Sequence, residues 1–308
     1  MPTPPPLPRR VGAALLGAAL LAGPTSGCSL FETSGGQQAL AEVAEVSRDS
    51  HAHTHGEDGV HVSMPVGDGT SSYEVGYTLA QVRLPALAGE PGELSFRIDD
   101  FEGAPHTDFL VEQTRPMHVY VVSEDLAVFR HVHPEPTEDG RWTTRLTLPE
   151  PGRYRVVAEF VARDPGGNGD HVILGEQLHV GGHPSDGAVP AAATPVDPTR
   201  NRTAVDVSLE GGEGRVGGDQ QLTAVVTDLQ GDPVRLDAYL GTHAHLTGFH
   251  TESGSMVHLH PLGTPEIRKD GTRLAFHTTF EQPGGYRLFV QVRVDGYLHT
   301  VPVDLSVS

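Results

Sequence analysis

Cysteine is almost absent from this sequence. Cys28 is the one cysteine among 308 residues, so the chain can form neither an internal disulfide nor a zinc site built from several thiolates. Basic residues are also scarce, because 21 Lys and Arg stand against 40 Asp and Glu and the formal net charge is −19. Nucleic-acid binding needs clustered Lys and Arg to contact the phosphates. The excess of acidic residues therefore excludes nucleic acid as a partner. An acidic surface instead attracts cations.

Helical periodicity and catalytic motifs are missing as well. After the N-terminal apolar run, no stretch keeps a 3.6-residue hydrophobic period long enough to predict a helix. The Gly-x-Ser-x-Gly pattern of serine hydrolases is absent. Copper-zinc superoxide dismutases place a His-x-His pair on a β-sandwich, but this chain lacks the paired cysteines and shows no convincing bridging histidine. We therefore predict an all-β protein that is not an enzyme.

The N-terminus has the features of an export signal. Arg9-Arg10 is followed by an apolar run over residues 11–22 and by small residues before Cys28. The string Thr25-Ser26-Gly27-Cys28 resembles a bacterial lipobox, although Thr25 stands where such motifs usually have leucine. We predict a signal peptide over residues 1–27 and lipidation of Cys28. The protein is then extracytoplasmic and anchored to the membrane, with plain secretion as the alternative.

Residues 28–70 are predicted to form a flexible tether, because Gly, Ser, Glu, Gln and His predominate and few apolar residues are available for a core. His51, His53, His55 and His61 lie in this segment beside acidic residues. Neutral imidazoles in such clusters bind Cu(II), Ni(II) and Zn(II). The four histidines are candidate metal ligands, and a solvated spacer is the alternative interpretation.

One four-residue pattern occurs twice, as His131-Val132-His133-Pro134 and as His258-Leu259-His260-Pro261. His118 and His245 precede the two copies by the same interval, since 131 − 118 and 258 − 245 are both 13. Self-similarity at a long period predicts a duplicated domain. The two units are expected at residues 71–182 and 202–308, joined by a linker rich in proline and alanine at residues 183–201.

Both units have the residue pattern of β-sandwiches. Runs rich in β-branched and aromatic residues, separated by turn residues, predict strands at residues 77–79, 94–98, 118–122, 145–148 and 154–160 in the first unit, and at residues 222–226 and 287–292 in the second. About seven such strands are expected in each unit. The fold class is therefore two tandem immunoglobulin-like or cupredoxin-like antiparallel β-sandwiches.

The repeated histidines are the candidate functional residues. Residues two apart on a strand project to one face, so each His-x-His pair presents two nitrogens together. With the offset histidines, two matching quartets are candidate ligand sets: His118, His131, His133 and His171, and His245, His258, His260 and His299. Imidazole suits copper and zinc, so the expected ion is Cu(II) or Zn(II).

The alternative is that these histidines are structural. Phe129 and Met256 share strand parity with the two pairs, which would then face the interior and bond to the backbone. Four further histidines have no counterpart in the other unit and are predicted to be surface residues: His106, His179, His250 and His277.

Residues 117–126 and 129–134, together with residues 284–289, resemble uncharacterised secreted proteins and lipoproteins of bacteria that carry tandem cupredoxin-like (YtkA-like) β-sandwich domains. The resemblance covers most of the chain after Ser71. It implies a two-domain extracytoplasmic protein with a role in handling copper or other heavy metals.

Two functions follow as hypotheses. The first is a lipid-anchored protein that sequesters or delivers Cu(II) or Zn(II), with the metal ion and the membrane as its partners. The second is an interaction module that binds another envelope protein and in which the histidines are structural. A titration with Cu(II) of the protein and of a variant lacking the paired histidines separates the two hypotheses.

Overall fold

The computed structural model describes residues 60–182, 204–211 and 213–308, without the side chains of His258 and His260. The predicted signal peptide, Cys28, three of the tether histidines (His51, His53 and His55) and the linker lie outside these residues. Within the described ranges all regular structure is β, which confirms the predicted fold class. None of these residues belongs to a helix long and apolar enough to cross a membrane.

The first unit is a sandwich of two antiparallel sheets. Its strands are β1 (Tyr73–Glu74), β2 (Tyr77–Arg83), β3 (Gly92–Asp99), β4 (Phe109–Leu110), β5 (His118–Ser123), β6 (Phe129–Val132), β7 (Glu135–Pro136), β8 (Arg141–Leu146), β9 (Gly152–Arg163) and β10 (Gly169–Val180). One sheet has the order β1-β2-β3-β8-β7, and the other has the order β10-β9-β5-β6 with β4 against β9. Alternation along each strand sends Leu94, Val119 and Val156 into the core between the sheets.

The second unit follows one path of eight strands. They are β11 (Val205–Glu210), β12 (Glu213–Gly214), β13 (Gln220–Asp228), β14 (Ala244–His250), β15 (Met256–Arg268), β16 (Gly271–Thr278), β17 (Gly284–Val294) and β18 (Tyr297–Val307), in the order β11-β13-β16-β15-β14-β17-β18-β12. Strand β15 pairs first with β14 and then with β16, so it turns the corner between the two faces of the sandwich. Leu222, Phe276 and Leu288 pack in the core.

Equivalent pairings confirm the duplication. In the first unit β6 pairs with β5 and β7 with β8, which are the two partnerships that the single strand β15 makes in the second unit. The Tyr154 hydroxyl donates to the carbonyl of Glu150 at 2.7 Å, and the Tyr286 hydroxyl donates to the carbonyl of Gln282 at 3.0 Å. Such tyrosine corners are typical of immunoglobulin-like sandwiches.

The end of the predicted tether belongs to the first sandwich. Val62 and Val66 form parallel bridges to Gly169 and Val172 of β10, and Val62 is buried. Residues 62–70 therefore lie along this edge strand, so the ordered unit begins before Ser71. The physical reason is the apolar surface that the two valines cover. His61, just before the first bridge, is exposed.

The two sandwiches pack through equivalent sheets. The outer face of β5, β6, β9 and β10 contributes Tyr120, Val122, Leu126, Phe129, Val157 and Ile173 to a shared apolar cluster, and the outer face of β14, β15 and β17 contributes Phe249, Met256 and Phe289. The rings of Phe129 and Phe289 stack with centroids 4.1 Å apart. Residues on the same strand faces as this cluster carry the histidines that follow.

Candidate metal centre

Three histidines from the two sandwiches meet at this interface. His118 begins β5, His131 lies on the neighbouring strand β6, and His245 lies on β14, the strand equivalent to β5. One ring nitrogen from each lies within 4.8 Å of the other two. His118 and His245 are buried, and His131 is partly buried. The three residues could hold one metal ion between them.

The hydrogen bonds of His118 and His131 direct one lone pair from each ring at the other. Nε2 of His118 lies 3.0 Å from the carbonyl oxygen of Glu112, which can only accept, so this nitrogen carries the proton and Nδ1 carries the lone pair. Nδ1 of His131 lies 2.7 Å from Oε1 of Gln291 and donates to it. The amide of Gln291 is oriented by its own donation to Thr300.

Nδ1 of His118 and Nε2 of His131 consequently face each other across 3.2 Å, each with a lone pair. A proton or a cation between them would relieve the repulsion. A proton is disfavoured, because burial, together with the neighbouring His245, His118 and His133, lowers the pKa of His131 well below its ordinary value. A tetrahedral ion with metal–nitrogen bonds of about 2.0–2.1 Å would separate its ligand atoms by roughly 3.3 Å. The distance between these two nitrogens therefore fits two ligands of one ion placed to the side of the line that joins them.

A buried chain of hydrogen bonds orients the third histidine. The Tyr120 hydroxyl donates to Glu159 at 3.0 Å and lies 2.8 Å from Nε2 of His245. Because the hydroxyl proton is used on the carboxylate, Nε2 of His245 donates to the tyrosine oxygen and Nδ1 carries the lone pair. Burial and the charge of Glu159 raise the pKa of Tyr120 well above its ordinary value, so the hydroxyl keeps its proton.

Each member of the triad thus has one nitrogen bonded to an outer partner, and one ring nitrogen of each lies within 4.8 Å of the other two. This is the pattern by which outer hydrogen bonds fix the tautomer and direction of metal-binding histidines. The outer partners are Glu112, Gln291 and Tyr120. Glu159 stands behind Tyr120 and also accepts from Nε2 of His171 at 3.0 Å. His171 therefore supports the carboxylate rather than the triad.

His133 is the fourth imidazole of the cluster. Its ring centroid lies 5.0 Å from that of His118 and 4.6 Å from that of His131. Its Nε2 atom is buried and has no hydrogen-bond partner among the residues that the structure describes. Burial, and then the positive charges that His118 and Arg115 can carry, lower the pKa of His133 to about 3. A neutral nitrogen is therefore available beside the triad.

The second predicted quartet is placed differently from the first. His245 joins histidines of the first sandwich. His258 and His260 occupy backbone positions opposite Thr247 and His277, and their side chains are not described. The convergence of this quartet therefore stays a prediction.

His299 is not the positional equivalent of His171. Glu159 pairs with Ile173, two residues after His171, whereas its counterpart Gln291 pairs with Thr300, directly after His299. A shift of one residue turns a side chain to the other face of a strand. His299 consequently shares the face of Val292, on the opposite side of the sheet from Gln291.

His250 is also not the surface residue that the sequence predicts. It is 4% exposed, because its ring is held inside the turn before β15. Nδ1 of His250 lies 2.9 Å from the hydroxyl of Ser253, and Nε2 lies 3.2 Å from the carbonyl of Pro283. Glu159 and Gln291 were not predicted from the sequence as functional residues. A polar residue within an otherwise apolar strand run was the signal that marks both of them.

A protein-family model described as "Domain of unknown function (DUF8832)" matches residues 70–166 and 200–308. The chain belongs to the DUF8832 family. The two matched segments fall on the two sandwiches of the DUF8832 protein. No curated protein matches the chain. The predicted YtkA-like relationship stays a prediction.

Solved structures resemble the DUF8832 chain in fold alone. The FdeC adhesin of Escherichia coli is 17% identical with a TM-score of 0.24, over 75% of this chain and 64% of that chain. The adhesin InvE of Yersinia pseudotuberculosis is 11% identical with a TM-score of 0.21, over 74% and 58%. Titin A168–A169 is 11% identical with a TM-score of 0.21, over 76% and 100%. The chain spans less than two thirds of either adhesin.

Proposed function

We propose that this protein binds one divalent transition-metal ion, Cu(II) or Zn(II), between its two sandwiches and sequesters or delivers that ion outside the cytoplasm without catalysing a reaction. The observation that carries the proposal is the pair of lone pairs on His118 and His131 that face each other across 3.2 Å. Hydrogen bonds fix both tautomers, and burial disfavours a proton between them.

The chemistry of the donors supports these two ions. Imidazole nitrogen is a preferred ligand of both Cu(II) and Zn(II). His131 and His133 are neutral over the physiological pH range, since the pKa of His133 is about 3 and that of His131 is well below its ordinary value. The nearby carboxylate of Glu159 supplies negative charge at this buried interface. A buried cation needs such a counter-charge.

The space around the site favours storage over catalysis. A cavity of about 10 Å³ touches His118, Glu159, His171 and His245. That is room for about one water molecule. Catalytic zinc sites keep a coordination position open to substrate, whereas this cavity, as the described residues line it, has room for about one water molecule. The export signal and lipidation of Cys28, both predicted from the sequence, would hold such a protein on the extracytoplasmic side of the cell membrane.

A second candidate function is an interaction module in which the histidines have a structural role. The specific observation in its favour is that two histidine hydrogen bonds cross between the sandwiches, from His131 to Gln291 and from His245 to Tyr120. Such bonds would set the angle between the sandwiches without any metal. Under this hypothesis another envelope protein is the partner.

Isothermal titration with Zn(II) and with Cu(II) distinguishes the two functions. The tether histidines would add their own binding, so all proteins carry His51, His53 and His55 replaced by Ala. We expect one tight site in this background, loss of that site in the variant His131→Ala/His245→Ala, and an unchanged site in the control His179→Ala, whose histidine is exposed.

Equal binding by the background protein and the double variant would refute the proposed site. Thermal unfolding in the presence of a chelator completes the comparison. If the double variant loses stability there while neither protein binds metal, the histidines are structural and the interaction module is the function that remains.

A further inference from the structure

The ligands of the candidate metal centre are divided between the two sandwiches, two on the first and one on the second. We propose that the bound cation is a clamp, so that metal loading and the packing of the two sandwiches are linked equilibria. This inference rests on the proposed metal-binding function. It adds that loading the ion sets how firmly the two halves of the protein are held together.

The outer hydrogen bonds of the triad depend on the packing. His131 of the first sandwich is oriented by Gln291 of the second, at 2.7 Å. His245 of the second sandwich is oriented by Tyr120 of the first, at 2.8 Å. Each sandwich thus orients a ligand that belongs to the other. Separation of the sandwiches would divide the triad and would also break the hydrogen bonds that orient His131 and His245.

Two equivalent turns meet beside the triad. The turn from Glu112 to Arg115 holds Gln113 and Thr114 at φ 46° and 69°, and the turn from Tyr239 to Thr242 holds its two central residues at φ 51° and 78°. A side-chain atom of Thr114 lies against Gly241 across the interface. Left-handed backbone at residues other than glycine costs about 1–2 kcal/mol each, and the surrounding structure must maintain it.

The first of these turns also supplies the carbonyl of Glu112 that orients His118. The conformation that directs this ligand is therefore maintained partly by contact with the other sandwich. Together with the two crossing hydrogen bonds, this means that the geometry of all three ligands depends on the interface.

Linkage gives the size of the effect. A cation that binds only the packed arrangement increases the packing equilibrium constant by a factor of 1 + [M]/Kd, which is about 100-fold at a free ion concentration of 100 Kd. The coupling is reciprocal: only the packed fraction of the metal-free protein binds the ion, so a substitution lowers the apparent affinity in proportion to the packed fraction that it removes. Residues that contact no ligand should then affect metal binding.

Phe249 provides the affinity test. It belongs to the shared apolar cluster, lies four residues from His245 and makes edge contacts with Phe129 and Phe289. We expect Phe249→Leu to lower Zn(II) affinity at least several-fold by titration while the circular dichroism spectrum stays unchanged. Phe101→Ala is the control, because Phe101 is 79% exposed and its loss should leave Zn(II) affinity as it is.

Distance measurement provides the packing test. Spin labels at Glu138→Cys and Lys269→Cys, both exposed and on different sandwiches, are placed in a Cys28→Ser background with the tether histidines replaced. Electron–electron double resonance should give a narrow distance distribution with Zn(II) and a broader one with chelator. The same labels in a His245→Ala chain should give a distribution that does not respond to Zn(II).

The outcomes distinguish a failure of the clamp from a failure of the proposed metal-binding function. If Zn(II) binds the triad but Phe249→Leu keeps full affinity and the distance distribution is the same with and without the ion, the clamp is refuted and the metal-binding function stands. If Zn(II) does not bind at all to the labelled protein that keeps the three histidines of the triad, the proposed function fails and the clamp fails with it.

Discussion

Acidification in the presence of a chelator should destabilise the folded protein through its histidine cluster. The pKa of His133 is about 3, and that of His131 is well below its ordinary value. In the unfolded chain both return to about 6.5. As pH falls below 6.5, the unfolded state takes up protons that the folded state does not, so the free energy of unfolding decreases. Above pH 6.5 both states are neutral and these residues impose no such penalty.

The loss in free energy of unfolding depends on how far the pH lies below the unfolded-state pKa of about 6.5. At pH 5 a histidine that stays neutral in the folded state costs about 2 kcal/mol, because each pH unit corresponds to about 1.4 kcal/mol. His131 should contribute about that amount. His133 is partly exposed, so solvent screening reduces its share to about 1 kcal/mol. With a urea dependence of about 2–3 kcal/mol per molar, the total of about 3 kcal/mol lowers the unfolding midpoint by about 1 M.

Urea unfolding monitored by the single tryptophan, Trp142, is a direct assay, since this side chain is buried in the first sandwich. The midpoint is measured at pH 7 and pH 5 with chelator present. Carboxylates also respond to acid, so the urea midpoint of the variant His131→Asn/His133→Asn is measured at the same two pH values. Between pH 7 and pH 5 this midpoint should fall by about 1 M less than the midpoint of the wild type. His179→Asn should behave as the wild type. An equal loss in the wild type and the double variant would refute the reasoning.

Three other predictions concern single residues. Tyr120→Phe removes the hydroxyl that orients His245 and should weaken Zn(II) binding 10–100-fold by titration while the fold is retained; an unchanged affinity would exclude His245 as an oriented ligand. Val75→Gly relieves a left-handed conformation at an exposed position and should raise the free energy of unfolding by about 1 kcal/mol in urea. Gly175→Ala would place a Cβ atom against the backbone of Gly69 and should lower the free energy of unfolding by more than about 2 kcal/mol.

The strands were predictable because alternation and turn residues agree along most of the chain. Residues 94–98 and 118–122, for example, fall within β3 and β5. The course of β15 was not predictable, because Pro261 and Gly263 in its sequence are typical of a strand end. The strand continues past Pro261 because β15 leaves β14 and joins β16 at this point. A residue without an N–H is tolerated where the strand changes partner. A register shift between Leu262 and Glu266 follows.

The histidines themselves were predictable from the repeat, but their grouping was not. His118 and His131 lie together since β5 pairs with β6. That His245 completes the group depends on which outer faces of the two sandwiches pack, and alternation along a strand does not distinguish an outer face that meets water from one that meets another domain. The apolar residues Phe129 and Phe289 on those outer faces were the available signal.

Duplication brings equivalent histidines together, and divergence then makes their surroundings unequal. The rings of His118 and His245 are nearly parallel, with centroids 5.7 Å apart. Their equivalent strand partners differ, because Glu159 stands opposite His118 and Gln291 stands opposite His245.

Two glutamates at these positions would bury two carboxylates at one small interface, and two glutamines would leave a divalent ion without a counter-charge. Either arrangement carries a large desolvation cost. One glutamate supplies the negative charge, and one glutamine supplies a neutral acceptor for His131. The asymmetry between the halves is therefore the arrangement that the proposed site for a single buried cation would favour.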